Sequence, residues 1–201
     1  MTLALVDIES GNLRSVENAL RAVGASDIAV TADPDVIARA DRIVLPGVGA
    51  FGACAANLRK VDGLEQALGQ RVLEEGAPFL GICVGMQLMA DAGEEMGTHR
   101  GLGWIAGRVR LLTPADPMAK VPHMGWNDVI PLTSHPLLTA GEAYFLHSYA
   151  FEGEHVLART DHAGPVTAAI GRDNMLGVQF HPEKSQRYGL ALLEKFLVWR
   201  P

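Results

Sequence analysis

Cysteine is scarce in this sequence: Cys54 and Cys83 are the only two among 201 residues. That is too few for a disulfide framework, and they form no CxxC metal spacing, so reduced thiols are the natural reading. Basic side chains are also in deficit. Against 23 Asp and Glu stand 17 Lys and Arg, a net charge of -6 that argues against nucleic acid or an anionic membrane surface as the main partner. No apolar run is longer than a strand requires, and the N-terminus lacks the basic region, long apolar core and cleavage site of a signal peptide, so a cytosolic protein is expected. Linkers, internal repeats and low-complexity tracts are missing too. With 48% hydrophobic residues the chain can build one sizeable core, and a single domain over residues 1–201 is expected.

What is present is an alternation. Leu3 to Asp7 is an apolar run ending in a carboxylate, as in a buried parallel strand. After the loop Ile8 to Gly11, the positions Leu13, Val16, Ala19, Leu20 and Val23 recur at helical spacing, and Gly24 marks the stop. Ile28 to Val30 reads as a second strand, Asp33-Pro34 as the cap and first turn of a second helix, and Arg42 to Leu45 as a third strand. A helix is expected from about Leu64 to Glu75, a strand over Phe79 to Ile82 and a helix over Val84 to Ala92. This order predicts an α/β fold with a central, mostly parallel sheet flanked by helices. Beyond Gly93 the segments shorten and partly alternate. Ile105–Leu112, Asn127–Pro131, Ala143–His147 and Val156–Thr160 read as strands of an antiparallel or mixed extension. Thr167–Gly171 and Leu176–Phe180 form a last strand pair, and a closing helix runs from about Gln186 to Val198 with Leu190, Leu193, Phe196 and Leu197 inward.

The stretch GICVGMQ, Gly81 to Gln87, reads as a buried strand turning sharply into a helix with Cys83 at the turn. Glycines two residues before and after the cysteine suit a tight elbow, because side chains there would collide with the crossing backbone. A thiol at that turn meets free N–H groups, the setting of a nucleophile. A small buried cysteine with a purely structural role is the alternative. Pro46 to Gly52 is a second glycine-rich loop without the glycine offsets or lysine of a nucleotide motif. Its backbone N–H groups are expected beside the elbow, since both loops leave one edge of a parallel sheet.

His181 and Glu183 are separated by one proline, so in an extended segment both point to one side and the carboxylate reaches the imidazole. A histidine oriented by a carboxylate is the base that a nucleophilic cysteine requires. The joint reading is a Cys83–His181–Glu183 triad. His99, His123, His135, His155 and His162 have no mutual ligand spacing and read as solvated loop histidines. No metal and no cofactor is expected.

Together GICVGMQ, PGVGAF and GVQFHPEKS resemble the class I (triad) glutamine amidotransferases over essentially the whole chain. With GNL at Gly11 to Leu13, KVPHMGWN at Lys120 to Asn127 and YFLHSY at Tyr144 to Tyr149, the resemblance is more narrowly to glutaminase subunits of imidazole glycerol phosphate synthases. Val84 stands where that family commonly has leucine, and DIESGN replaces a more usual aromatic-and-glycine opening loop. The resemblance implies glutamine hydrolysis, with Val84 N–H and the Gly47-Val48-Gly49 backbone, Val48 and Gly49 above all, as the oxyanion hole, and a loop peptide that reorients before it donates. It also implies that Gly47, Gln87, Glu95, His147, Ser148 and Tyr149 bind glutamine. A helix-surface Gln87, a solvated Glu95 and a half-buried strand at 147–149 are the plainer alternatives. The implied partner is a (β/α)₈-barrel cyclase subunit that receives the ammonia, with Asn12, Met124, Trp126 and Asn127 as interface candidates. A core position for Trp126 competes with that role. The rivals in function are the glutaminase subunits of anthranilate or aminodeoxychorismate synthesis and a catalytically inactive regulatory module.

Overall fold

The structure, a computed structural model, describes residues 1–201. In chain order the elements are β1 (Thr2–Val6), α1 (Leu13–Ala22), β2 (Asp27–Thr31), α2 (Pro34–Ile37), β3 (Arg42–Gly47), α3 (Phe51–Lys60), α4 (Leu64–Gly69), β4 (Phe79–Cys83), α5 (Val84–Gln87), β5 (Ala92–Gly93), β6 (His99–Arg100) and β7 (Gly107–Leu111). They continue with β8 (His123–Pro131), β9 (Gly141–His147), β10 (Tyr149–Gly153), β11 (Val156–Asp161), β12 (Pro165–Arg172), β13 (Met175–Val178) and α6 (Gln186–Val198). A π-helical turn, Gln70–Glu74, extends α4.

Nine strands form one sheet in the order β2-β1-β3-β4-β13-β12-β11-β8-β9. The half from β2 to β13 is parallel, and from β13 to β9 every neighbouring pair is antiparallel. This is the α/β sheet with an antiparallel extension that the alternation predicts. Right-handed crossovers send α1 to one face and α2, α3 and α4 to the other, because β1 to β2 steps one way along the sheet and β3 to β4 the opposite way. A smaller sheet, β10-β7-β5-β6, packs beside the first. One apolar cluster of 52 buried residues runs through the molecule, leaving no seam at which it would divide.

Two elements depart from the sequence reading for a visible reason. Helix α3, which an ordinary strand-to-helix turn at Pro46–Gly52 would allow, was given no range from the sequence, since its residues are mostly small and Ala50, before it, offers no side-chain cap. Its first N–H, that of Phe51, is capped by the Glu95 carboxylate at 2.7 Å, from far along the chain. The expected helix over Val84 to Ala92 stops at Gln87 instead. The carbonyls that would carry it on are taken by an incoming segment: Leu88 O by Leu102 N–H, Met89 O by Trp104 and Ile105 N–H, Ala90 O by Gly103 N–H. In α6, Leu192 rather than Leu190 is fully buried.

Three adjacent parallel strands end together. Gly47 of β3 stands in register with Cys83 of β4, and Val178 of β13 pairs with Ile82, three residues before His181. Close approach here depends on glycine: a Cβ on Gly85 would lie 1.8 Å from Leu45 O. Replacing Gly85 with alanine is therefore expected to lower the unfolding free energy by about 3 kcal/mol, read from the urea midpoint of the purified variant.

Candidate active site

Cys83 sits at the junction of β4 and α5 with φ 54° and ψ −110°, a strained backbone for a residue with a side chain. The elbow closes only because Gly81 and Gly85 lack side chains; a Cβ on Gly81 would come within 2.8 Å of Gly85 O. Helix α5 is a single turn of four residues, so what it brings to the thiol is a few N–H groups and not a long macrodipole. Cys83 is 4% exposed, and its sulfur lies 4.0 Å from Leu146 O and 3.7 Å from Gln179 Nε2.

His181 leaves β13 in extended conformation, but Pro182–Lys184 then form a 3₁₀ turn closed by Lys184 N–H donating to His181 O. The extended HPE segment expected from sequence is thus a turn, and the turn makes the contact: His181 Nδ1 and Glu183 Oε1 are 2.9 Å apart and both side chains are buried. His181 is clamped to β9 as well. Its N–H donates to Tyr144 O, and Ser185 Oγ accepts from Tyr144 N–H while donating to His181 O. Burial would lower the imidazole pKa, but hydrogen bonding and charge from Cys83 and Glu183 outweigh it and push His181 up from 6.5 to about 9.

A cavity of about 270 Å³ opens over these groups. Cys83, Val84 and His181 line it, with Val48 and Gly49 from the glycine loop. Gln87, Glu95, His147, Ser148 and Tyr149 complete the wall, together with Pro122, Leu146 and Lys184, which the sequence reading did not name as site residues. Gly47 is the exception among the expected pocket residues: it lies buried beneath the cavity, its bare Cα against Gly85 N and Val84, and lines nothing. The N–H groups of Val48 and Gly49 form no hydrogen bond within the chain. Val48 O is engaged by the Ser10 hydroxyl and, at 3.6 Å, by the Cys54 thiol. A larger depression of about 410 Å³, lined by Arg110, Arg159 and Thr167 among others, holds no nucleophile–base pair.

Of the interface candidates, Met124 and Trp126 are 64% and 47% exposed, which removes the core alternative for Trp126. They share a face of β8 and stand opposite Leu146 and Tyr144 of β9, so the exposed strip continues to the cavity rim. Asn127 points to the other face, where its amide bonds His123 Nε2 and Asp161 O. Asn12 is half-buried ahead of α1 and makes no capping bond.

The model of the family described as glutamine amidotransferase class-I matches residues 4–199. The chain belongs to the class I glutamine amidotransferases. It is 61% identical, over all of its length and 97% of the relative's, to the imidazole glycerol phosphate synthase subunit HisH of Zymomonas mobilis. The protein of the same description from Ruegeria pomeroyi is 52% identical with both chains fully covered. Among solved structures, one described as a glutamine amidotransferase superposes with a TM-score of 0.74 at 20% identity, covering 97% of each chain. The structure of PurLQS from Thermotoga maritima gives 0.73 at 17% identity, covering 98% of this chain and 97% of that one. These distant likenesses speak for the fold alone.

From the wall of the amidotransferase cavity a row of histidines runs inward: His147, which the resemblance placed in the glutamine pocket, then His123 and His162, which the sequence reading left as solvated. Tyr149 O only accepts, so His147 Nδ1, 3.0 Å away, carries a proton; His147 Nε2 then accepts from His123 Nδ1 at 3.0 Å, and His123 Nε2 accepts from Asn127 at 3.0 Å. His123 stacks between Phe145 and His162, with centroids 4.7 and 4.3 Å away. Burial, and the charge of His162, lower His123 to about 4. Burial outweighs the Tyr149 bond and, with the neighbouring imidazoles, lowers His147 to about 3. The only periodic signal in the sequence is that residues 123, 125 and 127 share one face of a strand. No group of three or more His, Cys, Asp or Glu side chains is arranged to hold a metal ion.

Both folded values lie below the unfolded value near 6.5, so the stability these neutral rings contribute is present above pH 6.5 and is lost as pH falls towards 4 and 3. Each of the two rings is expected to account for about 2 kcal/mol of lost unfolding free energy between pH 7.5 and 5 in urea titrations, with a shallower slope in His123→Phe.

Proposed function

We propose that this chain is the glutaminase subunit of an imidazole glycerol phosphate synthase and that residues 1–201 form its glutaminase domain. The observation that carries the reading is the meeting, in one cavity, of a strained elbow cysteine with a carboxylate-bound histidine. Cys83 attacks the side-chain amide carbon of glutamine while the thiol proton resides on His181, whose charge Glu183 stabilises. The tetrahedral oxyanion is received by Val84 N–H and by the Val48 or Gly49 N–H, donors that the chain leaves without partners in the loop. His181 then protonates the departing ammonia, and as base it activates the water that clears the thioester. Glu95, the Oε1 of Gln87 and the His147-Ser148-Tyr149 segment hold the amino-acid end of the substrate.

Free ammonia is protonated in water, so the product needs an acceptor site close by. In this reading a (β/α)₈-barrel cyclase subunit covers the Met124–Trp126 strip, with Asn12 at its margin, and receives the ammonia. It uses that ammonia to make imidazole glycerol phosphate and an aminoimidazole carboxamide ribonucleotide in histidine biosynthesis. The cytosol is the compartment that suits two reduced thiols. No helix of the chain is long and apolar enough to cross a membrane.

Glutamate release by the purified chain, with and without the cyclase subunit, tests the reading. We expect stimulation of about 10²-fold or more on complex formation, as completion of an oxyanion hole supplies, and no release by Cys83→Ala in either state. Turnover that ignores the cyclase would refute the subunit assignment.

His181 is raised, so its contribution to stability is full below pH 6.5 and lost as pH climbs through about 9. Turnover in the complex should decline over the same alkaline range, because His181 then lacks the proton for ammonia. Glu183→Gln removes one cause of the raised value. It is expected to move the alkaline limb of kcat/KM to lower pH and to slow turnover about a hundredfold, which a pH-rate series from 6 to 10 will read.

A further inference from the structure

Gln179 is a polar side chain in an apolar strand end, Leu176 to Phe180, and it is completely buried. Nothing in the triad explains it. Buried amides require partners on both termini, and the partners here determine which way each amide faces. Tyr149 O can only accept, so the atom of Gln87 that stands 3.0 Å from it is the NH₂. The second hydrogen of that NH₂ is directed to Gln179 at 3.1 Å, which makes the receiving atom of Gln179 its oxygen. The remaining terminus of Gln179, its own NH₂, lies 3.7 Å from Cys83 Sγ. Donors and acceptors thus run in one direction, from Gln87 through Gln179 to the sulfur: reversing Gln87 would set its carbonyl oxygen against Tyr149 O, and reversing Gln179 would set its NH₂ against that of Gln87.

We propose that Gln179 is a further catalytic residue, a side-chain N–H donor to Cys83 Sγ that stabilises the thiolate and aims it, with Gln87 as the positioning residue that orients the donor. An N–H donor meets a sulfur anion more favourably than a neutral thiol, since a hydrogen bond to a charged acceptor is the stronger one. The donor is neutral, so it assists the thiolate without competing with Glu183 for the proton on His181. Gln87 is left with Oε1 as its only free polar atom, which restricts it to accepting from the substrate's amino group. The kinetic arm of this inference rests on the glutaminase reading above; the chemical arm does not.

The test uses the full chain. Gln179→Glu preserves an acceptor for Gln87 and removes the donor to sulfur, while Gln179→Met removes both polar atoms at similar length. Alkylation by iodoacetamide, followed by the mass of the Cys83-bearing peptide so that Cys54 does not interfere, is expected to slow about tenfold at pH 7 in either variant. The deficit should close as the solution is made alkaline, a pattern that loosened packing does not produce. In complex with the cyclase subunit, kcat for glutamine hydrolysis should fall about tenfold with KM changed less than about twofold. Thermal unfolding monitors the fold of each variant, and because the carboxylate of Gln179→Glu also opposes the thiolate by its charge, the neutral Gln179→Leu decides if Gln179→Met fails to fold. Wild-type alkylation rates across pH in a folded variant overturn the proposal. Alkylation needs no glutamine, so a wild-type complex that alkylates at Cys83 but releases no glutamate overturns the glutaminase reading and leaves the role of Gln179 to be judged on its own.

Discussion

The left-handed backbone at Cys83 is held in place by contact between main chains, and the rest of the site depends on that contact. Gly85 presses its bare Cα against Leu45 O, Gly47 does the same against Gly85 N, and Gly81 against the first turn of α5. With all three gaps closed, the ends of β3 and β4 and the turn after them behave as one rigid piece. The thiol is fixed in space before any side chain acts on it. A conformation of this kind costs of order 1–3 kcal/mol and persists only where its surroundings over-determine it. Here they do so with backbone atoms, which cannot repack as side chains can. His181 is fixed by a different route, through main-chain and Ser185 bonds to β9 across the antiparallel half of the sheet. The cysteine thus belongs to the parallel half and the histidine's anchorage to the antiparallel half, so the extension of the sheet is part of the site's construction.

Two histidines around one cavity are driven apart by their surroundings. Burial would lower both, but at His181 a thiol and a carboxylate outweigh it and raise the ring to about 9, while at His147 burial outweighs the bond to the Tyr149 carbonyl and, with the neighbouring imidazoles, lowers the ring to about 3. Groups separated in this way take different roles at neutral pH. In the proposed reaction the first carries and releases a proton. The second, locked as a neutral ring in a directed chain of hydrogen bonds to Asn127, holds the 147–149 segment in position. The same chain meets the Gln87 amide at Tyr149 O, where both lone pairs of one carbonyl are used. The wall of the cavity and the support of the nucleophile therefore share a single backbone oxygen.

The sheet was legible in the sequence because its buried parallel strands are apolar runs and the helix after β1 carries a 3.6-residue stripe. The elbow was legible because glycine at two flanking positions has few other causes. What escaped was whatever depends on partners distant in the chain. Helix α3 has a cap that arrives from Glu95, and the helix after Cys83 ends because Leu102 to Ile105 take its carbonyls. Local propensity contains neither fact. Asn127 lies in the same motif as Trp126, yet strand alternation turns it to the opposite face, and extending the strand back to His123 would have revealed this. Gln179 left a trace that was readable in principle, a polar residue where the strand pattern calls for an apolar one. Gly47, which the resemblance placed in the glutamine pocket, lies packed where two strand ends meet.

The glycine loop itself is the softest part of the arrangement, and the reason is local. Gly47 is anchored by packing, but Val48 and Gly49 are exposed, and Val48 O is engaged by Ser10 and Cys54 on one side of its peptide. Because a trans peptide directs its C=O and N–H in opposite senses, those two side chains also set the direction of the Gly49 N–H. A change of that direction must break the bonds to Ser10 and Cys54 while leaving the Gly47 anchor intact, so it can occur as a local rotation without disturbing the elbow. In the proposed complex, a partner seated on the Met124–Trp126 strip would sit at the rim of the same cavity and would need only to shift the balance at one peptide. The scaffold around Cys83 is thus closed by main-chain contacts at the elbow and held by two side-chain bonds at the Val48–Gly49 peptide.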